Sequence, residues 1–247
     1  MPNSLTFAGT DLQDYGLITT SYDLPVVQDA QTIRLQNRAY AWRSSLTPKP
    51  ISVGVVVTAT SLALLITALD NINTKLNTRE DAQLIFDILS TRYWNARFES
   101  LQGRFYSPEL WQGSLSFTVL DPLAYSTTET STPHNIDADP DTVVETAGGT
   151  ANTFPVYTLT AGEALGAIEV TLENLTTGYS LTWSGTVADT EELVIDCANW
   201  TVELEGTPDM STVTGRFPYL QPGANSIKVT NWSNSGTLDI VYRARYL

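Results

Sequence analysis

The residue types that carry covalent or metal chemistry are scarce in this chain. Among 247 residues there is one cysteine, Cys197, and one histidine, His134. A single cysteine excludes an internal disulfide and any multi-cysteine zinc site. Cys197 lies in ELVIDCANW, where Leu193, Ile195 and Cys197 share a face, so it reads as a small buried apolar residue rather than a nucleophile. His134 sits in STTETSTPHNIDADPDTVVETAGGTAN, without the fixed, partly buried setting a general base needs, and is expected to be an exposed linker residue. Carboxylates are plentiful, densest at Glu191–Glu192 and at Asp137, Asp139 and Asp141 of DADPD. A glycosidase needs two carboxyls flanking one bond, and no such pair can be named. DADPD has neither the bending Gly nor the spaced Glu of a calcium loop. Phosphate-cradling, dinucleotide, zinc-protease and nucleophile-elbow motifs do not occur. The expectation is a protein that is not an enzyme and takes no cofactor and no metal.

The aromatic residues point instead to binding. Sugar sites on β-sandwiches use exposed rings, whose faces pack against the C–H groups of a pyranose. Tyr179, Trp183, Trp200 and Trp232 are the candidates in the C-terminal half. Trp183 and Trp200 alternate in phase with aliphatic residues and are assigned to the core. Tyr179 and Trp232, the latter in the turn-like NWSNSG, remain as glycan-contact candidates.

The elements that would position these residues are mostly strands. ISVGVVVTA is strongly β-branched, and AQLIFDIL, RYWNARFESL and GSLSFTVLDPLAY alternate with period two, as an antiparallel meander does. Between them one helix is expected over 61–77, capped by Thr60 or Ser61. Leu62, Leu65, Leu69, Ile72 and Leu76 form its apolar stripe. Residues 21–50, with Arg34, Arg38 and Arg43, read as an extended arm. From Phe154 onward seven short alternating segments, separated by Gly, Asn, Pro and Asp turns, read as a β-sandwich of jelly-roll type. The fold class is mainly β. An α+β domain over 1–125 has one main helix and the arm at 21–50, a linker or connecting segment with one short strand at Thr142–Glu145 spans 126–152, and a sandwich covers 153–247.

Charge divides the chain in the same place. Residues 1–125 hold 9 Lys+Arg against 11 Asp+Glu, a net of −2; residues 126–247 hold 4 against 16, a net of −12. So acidic a surface repels phosphate backbones, so nucleic acid is not an expected partner. The longest apolar stretch, SLALLITALDNINTKL, is broken by polar residues and is too short to span a bilayer, so no membrane insertion is expected. The N-terminus has no signal-peptide pattern, and a soluble chain made without export is expected.

In order of elements, the whole chain resembles the distal tail proteins of siphophages. The opening FAGTDLQDYGLIT, the strand ISVGVVV, the helix SLALLITALDNINTKL, the strand AQLIFDIL, the hairpin RYWNARFESL and the strand GSLSFTVLDPLAY follow as in that family. The ending FPYLQPGANSIKVTNWSNSGTLDIVYRARYL is similar to its closing pattern, a Leu-x-Pro-Gly-x-Asn turn before a Tyr-Arg-x-Arg strand. One departure is the arm, TIRLQNRAYAWRSSLTPKP, which lacks the Gly-rich turn often found there. The resemblance implies an N-terminal domain forming a homohexameric ring and an outer galectin-like sandwich. The ring would join the tail tube protein to the tail-tip hub, at the distal end of the tail in a virion assembled from chains made in the host cytoplasm. In some relatives the outer domain docks receptor-binding proteins or touches host glycans. Arg and aromatic residues are favoured at interfaces, so Arg34, Arg38, Tyr40, Trp42 and Arg43 are the ring-interface candidates. The alternative is a carbohydrate-binding protein acting through its sandwich.

Overall fold

Alternating burial along long strands organises the first half of the chain. In the computed structural model, residues 4–23, 29–35, 38–45, 48–78, 80–232 and 235–247 are described, those between 24 and 47 by backbone alone. Contacts divide the chain into a first unit, Met1–Thr127 with Leu247, and a second, Thr128–Tyr246.

In the first unit β1 (Leu5–Phe7) and β2 (Thr10–Asp11) lead into a 3-10 turn at Leu12–Tyr15, stapled by Asp11 accepting from the Gln13 N–H. β3 (Leu17–Asp23), β4 (Asp29–Leu35), β5 (Arg38–Ser45) and β6 (Lys49–Thr58) follow. β3 pairs with β6, so the β4–β5 hairpin is an excursion between two paired strands. After α1 (Leu62–Leu76) come β7 (Ala82–Phe86), β8 (Arg92–Ser107), β9 (Leu110–Val119) and β10 (Ala124–Ser126). The sheet order is β2-β1-β7-β8-β9-β6-β3, with β10 paired to the start of β8. β7, β8 and β9 are the expected meander. Ile51, Val53, Val55 and Val57 of β6 are fully buried, as are Leu115, Phe117 and Val119 of β9, while the intervening residues are not. That two-residue period lets each strand cover the core with one face.

α1 starts at Ser61, whose hydroxyl accepts from the Leu64 N–H and satisfies one free donor of the first turn. Leu65, Ile72 and Leu76 are buried, and Leu69 is half-buried. Leu62, expected on that stripe, is 45% exposed because it opens the first turn beside the cap, and Leu64 and Ile66 are 55% and 45% exposed. The helix therefore keeps apolar side chains in solvent on both flanks of its buried stripe, Leu62 and Ile66 on one and Leu64 on the other.

The second unit is a two-sheet sandwich. Its strands are β11 (Thr130–Ile136), β12 (Asp141–Ala147), β13 (Val156–Thr160), β14 (Leu165–Asn174), β15 (Tyr179–Val187) and β16 (Glu192–Asp196). β17 (Thr201–Leu204), β18 (Thr207–Pro208), β19 (Val213–Gly215), β20 (Gly223–Thr230) and β21 (Gly236–Tyr242) complete it. One sheet runs β11-β21-β13-β16-β17-β18 and the other β12-β20-β14-β15-β19. The core between them includes Tyr157, Leu172, Trp183, Ile195, Val202, Ile227 and Ile240.

This corrects the linker expected over 126–152, which supplies an edge strand to each sheet. The Thr, Asp and Pro content that suggested a linker belongs in part to strands with one polar, solvent-facing side. Pro133 is tolerated because β11 has a partner on one side only. His134 is likewise not a free linker residue: its Nε2 lies 3.3 Å from Oε2 of the buried Glu145 on β12. Glu145 Oε1 in turn accepts from the Tyr242 hydroxyl at 2.8 Å.

Candidate functional site

One end of the sandwich carries an aromatic groove of about 480 Å³, lined by Asn152, Phe154, Tyr179, Trp200, Arg216, Phe217 and Tyr219. Its rings form a connected set. Tyr219 meets Tyr179 edge-on with centroids 5.0 Å apart and Phe154 at 6.3 Å. Arg216 lies over Tyr179, its guanidinium carbon 5.6 Å from the ring centre, and Arg245 lies over Phe154 at 5.3 Å.

Local chemistry fixes each wall. Thr153 and Leu220 exchange backbone hydrogen bonds, both 2.8 Å, which holds the Asn152–Phe154 stretch against Tyr219. The Arg245 Nη1 donates to the Asn152 carbonyl at 3.1 Å. Behind Tyr219, two buried amides pin its backbone: Asn174 Nδ2 donates to the Tyr219 carbonyl at 2.7 Å and to Asn225 Oδ1 at 3.1 Å. Arg216 is set beside Tyr179 because β19 ends against β15, where the Arg216 N–H donates to the Ser180 carbonyl at 2.7 Å. Gly215 permits this approach: its φ is +97°, and a Cβ there would stand 2.3 Å from that carbonyl.

Trp200 closes the groove and is 69% exposed. Asp196 makes the turn that presents it, accepting from the N–H groups of Ala198 (2.8 Å) and Asn199 (3.0 Å) and from the Asn199 amide (2.8 Å). Trp200 itself has φ +59°, a conformation that costs a side-chain-bearing residue about 1–2 kcal/mol. The turn breaks the alternation with Val202 and Leu204 on which its assignment to the core rested. The clustered Asp and Asn ahead of it were the available signal.

Tyr179 lines the groove. Trp232 does not: it is 4% exposed, which corrects the expectation of a free ring in NWSNSG. Its indole seats on Gly236, where a Cβ would come within 2.7 Å of Nε1. Trp183 is buried and donates to Asp209 Oδ2 at 3.1 Å. The arm candidates fall on the β4–β5 hairpin, where the register pairs Leu35 with Arg38, Arg34 with Ala39, Ile33 with Tyr40 and Gln31 with Arg43. The side chains of Arg34, Arg38, Tyr40, Trp42 and Arg43 lie outside the described residues.

Cys197 is buried, and burial together with the adjacent Asp196 carboxylate pushes its thiol pKa well up, opposite to a nucleophile's need. Among the described residues no cluster of three or more His, Cys, Asp or Glu could hold a metal ion. The carboxylates of DADPD accept backbone donors instead, Asp141 from Asp137 and Asp139 from Asn231.

Residues 148–246 match the model of the siphovirus-type tail component, C-terminal domain. Among solved structures, the chain is similar to the distal tail protein Dit (gp 19.1) of phage SPP1, described as a paradigm of hub adsorption apparatus in phages infecting Gram-positive hosts. The TM-score is 0.79 at 17% identity over 98% of this chain and 99% of that one. It is also similar to chains of the phage p2 baseplate in its activated conformation. With strontium the TM-score is 0.51 at 9% identity over 97% of both chains. With calcium it is 0.51 at 10% identity over 98% of both. No curated protein matches in sequence. The resemblance to siphophage distal tail proteins read from the sequence is supported by a family-model match over residues 148–246 and by a shared fold. The aromatic groove lies wholly within the matched segment.

Proposed function

We propose that the chain is a structural subunit of the tail tip, assembling as a homohexameric ring between the tail tube protein and the tail-tip hub, with no catalytic step. The observation that carries this reading is the likeness to a hub protein over nearly the full length of both chains. Three features support it. The first half of the chain is nearly neutral, so like charges would not oppose ring closure. A strand hairpin leaves the sheet between β3 and β6 and offers an arm to a neighbour. Helix α1 exposes Leu62 and Ile66, one turn apart on one flank of its buried stripe, and Leu64 on the other flank, apolar side chains of the kind that interfaces cover. The ring would sit at the distal end of the virion's tail and anchor components that reach the host.

Mass photometry across a concentration series, with negative-stain imaging, tests this. Six-fold rings are expected, alone or with the tube protein. A Leu64→Lys, Ile66→Lys double variant should remain folded by circular dichroism and shift the population to monomer by at least tenfold. Persistent monomer at every concentration, with no binding to tube or hub proteins, overturns the proposal.

A further inference from the structure

We propose that the aromatic groove of the C-terminal unit is a binding site for an acidic sugar residue of a surface glycan. The site is independent of ring assembly. Its volume of about 480 Å³ lies within the roughly 300–1,000 Å³ typical of small-ligand sites, enough for a sugar ring and part of its neighbour. Rings with apolar faces and polar edges line it, the lining that stacks on the C–H face of a pyranose.

Two features separate it from ordinary surface. The first is Trp200. A Trp held 69% in solvent by a turn that Asp196 stitches three times, with its backbone in the left-handed region, is stabilised neither by burial nor by conformation. Strain of this kind clusters at ligand clamps. The second is charge. Residues 126–247 carry only four cations against sixteen carboxylates, yet two of the four, Arg216 and Arg245, stack on rings of this one groove. Arg243, by contrast, pairs with Glu129 at 3.3 Å. Arg216 is exposed and makes no ion pair among the described residues, in a unit where carboxylates outnumber cations fourfold. The guanidinium beside the Tyr179 ring carries the forked pair of donors that suits a carboxylate or phosphate on the bound ring. The exposed Asn152 amide is the adjoining polar group for ring hydroxyls. The net of −12 over residues 126–247 disfavours a dense polyanion, so the ligand is a ring with one local charge and not a nucleic acid.

The test uses the full-length chain on an array of sialylated, uronate-bearing and phosphorylated oligosaccharides beside their neutral parents, with mass photometry on the same samples. Acidic members should be retained at least tenfold more strongly than neutral parents. Trp200→Ala should lower that retention at least tenfold, and Arg216→Gln should abolish the preference for acidic over neutral members. Both residues are exposed, so both variants should unfold at the temperature of the parent. Absence of binding to every member overturns the proposal. So does binding that both variants leave unchanged, or equal binding of neutral parents that Arg216→Gln does not alter. If tail proteins shield Trp200 from N-bromosuccinimide while no glycan binds, the groove is a protein interface and the proposal fails. A chain that forms rings without binding glycan, or binds glycan without forming rings, separates this proposal from the assembly reading.

Discussion

Asn225 is fully buried, and both ends of its side chain are occupied. Its Oδ1 accepts from the Gln221 N–H at 3.0 Å and from Asn174 Nδ2 at 3.1 Å, and its own amide donates to the Gln221 and Gly223 carbonyls at 2.8 and 2.9 Å. Because Asn174 also holds the Tyr219 carbonyl, this pair couples the turn before β20 to the groove. Asn225→Ala strands buried donors and acceptors and should cost about 3 kcal/mol in urea unfolding, as the penalty for unmade buried hydrogen bonds implies. Asn225→Asp should be no milder, since a carboxylate would face two carbonyl oxygens. A variant that unfolds within about 0.5 kcal/mol of the parent would show the network to be dispensable. The Leu-x-Pro-Gly-x-Asn spacing was visible in the sequence, but its partner Asn174 is 51 residues away and nothing local announces it. Trp200 and Trp232 were misread for opposite reasons. An aspartate-led turn put the first outside its strand's alternation, and a glycine opposite gave the second a seat inside.

Strand identity was the most legible level. Every strand of β7–β9 and the seven alternating segments after Phe154 fall where period two placed them, because one face of each must be apolar. β11 escaped, and β12 was expected only as a short strand at Thr142–Glu145 within a linker, because an edge strand with a solvent-facing side has a loop's composition. The β8–β9 hairpin shows a further element-scale device. Gly103 and Gly113 face each other across the pair, and the Trp111 ring lies over both, 2.3 Å from where either Cβ would stand. Glycine supplies the space and the indole covers the backbone. Gly103→Ala should lower the unfolding free energy of the first unit by about 1–3 kcal/mol, the usual cost of overpacking. Gly166→Ala, with no heavy atom within 4 Å of its Cβ, is the control and should be nearly neutral. Equal behaviour of the two variants in chemical denaturation would refute the seat.

At the scale of the whole molecule, three buried protons of the second unit respond to pH in one direction. Burial raises the pKa of Tyr157, Cys197 and Tyr242, and the Glu145 carboxylate adds to the rise at Tyr242. The folded chain keeps these protons when the unfolded chain has begun to lose them, above the ordinary values of 9.0 for the thiol and 10.0 for the phenols. Their contribution is complete below pH 9.0 and is lost as pH rises past it, by up to about 1.4 kcal/mol per pH unit for each group. Urea midpoints for the second unit should therefore fall between about pH 8 and pH 10.5, with the earliest part of the fall absent in Cys197→Ala. Native Cys197 should resist Ellman's reagent at neutral pH and react only after unfolding; flat midpoints or prompt labelling would contradict the burial. The pairing of β11 with β21, and of β12 with β20, bears on synthesis. The first strands of this unit to leave the ribosome wait for the last ones, so neither sheet can close until residues 223–242 have emerged. The strands of the first unit all lie before residue 127 and can pair while the rest is still being translated. During that interval two polar strands stand unpaired. Their Thr, Asp, Glu and Pro content, which disguised them as a linker, keeps those open edges from templating wrong partners on a crowded polysome.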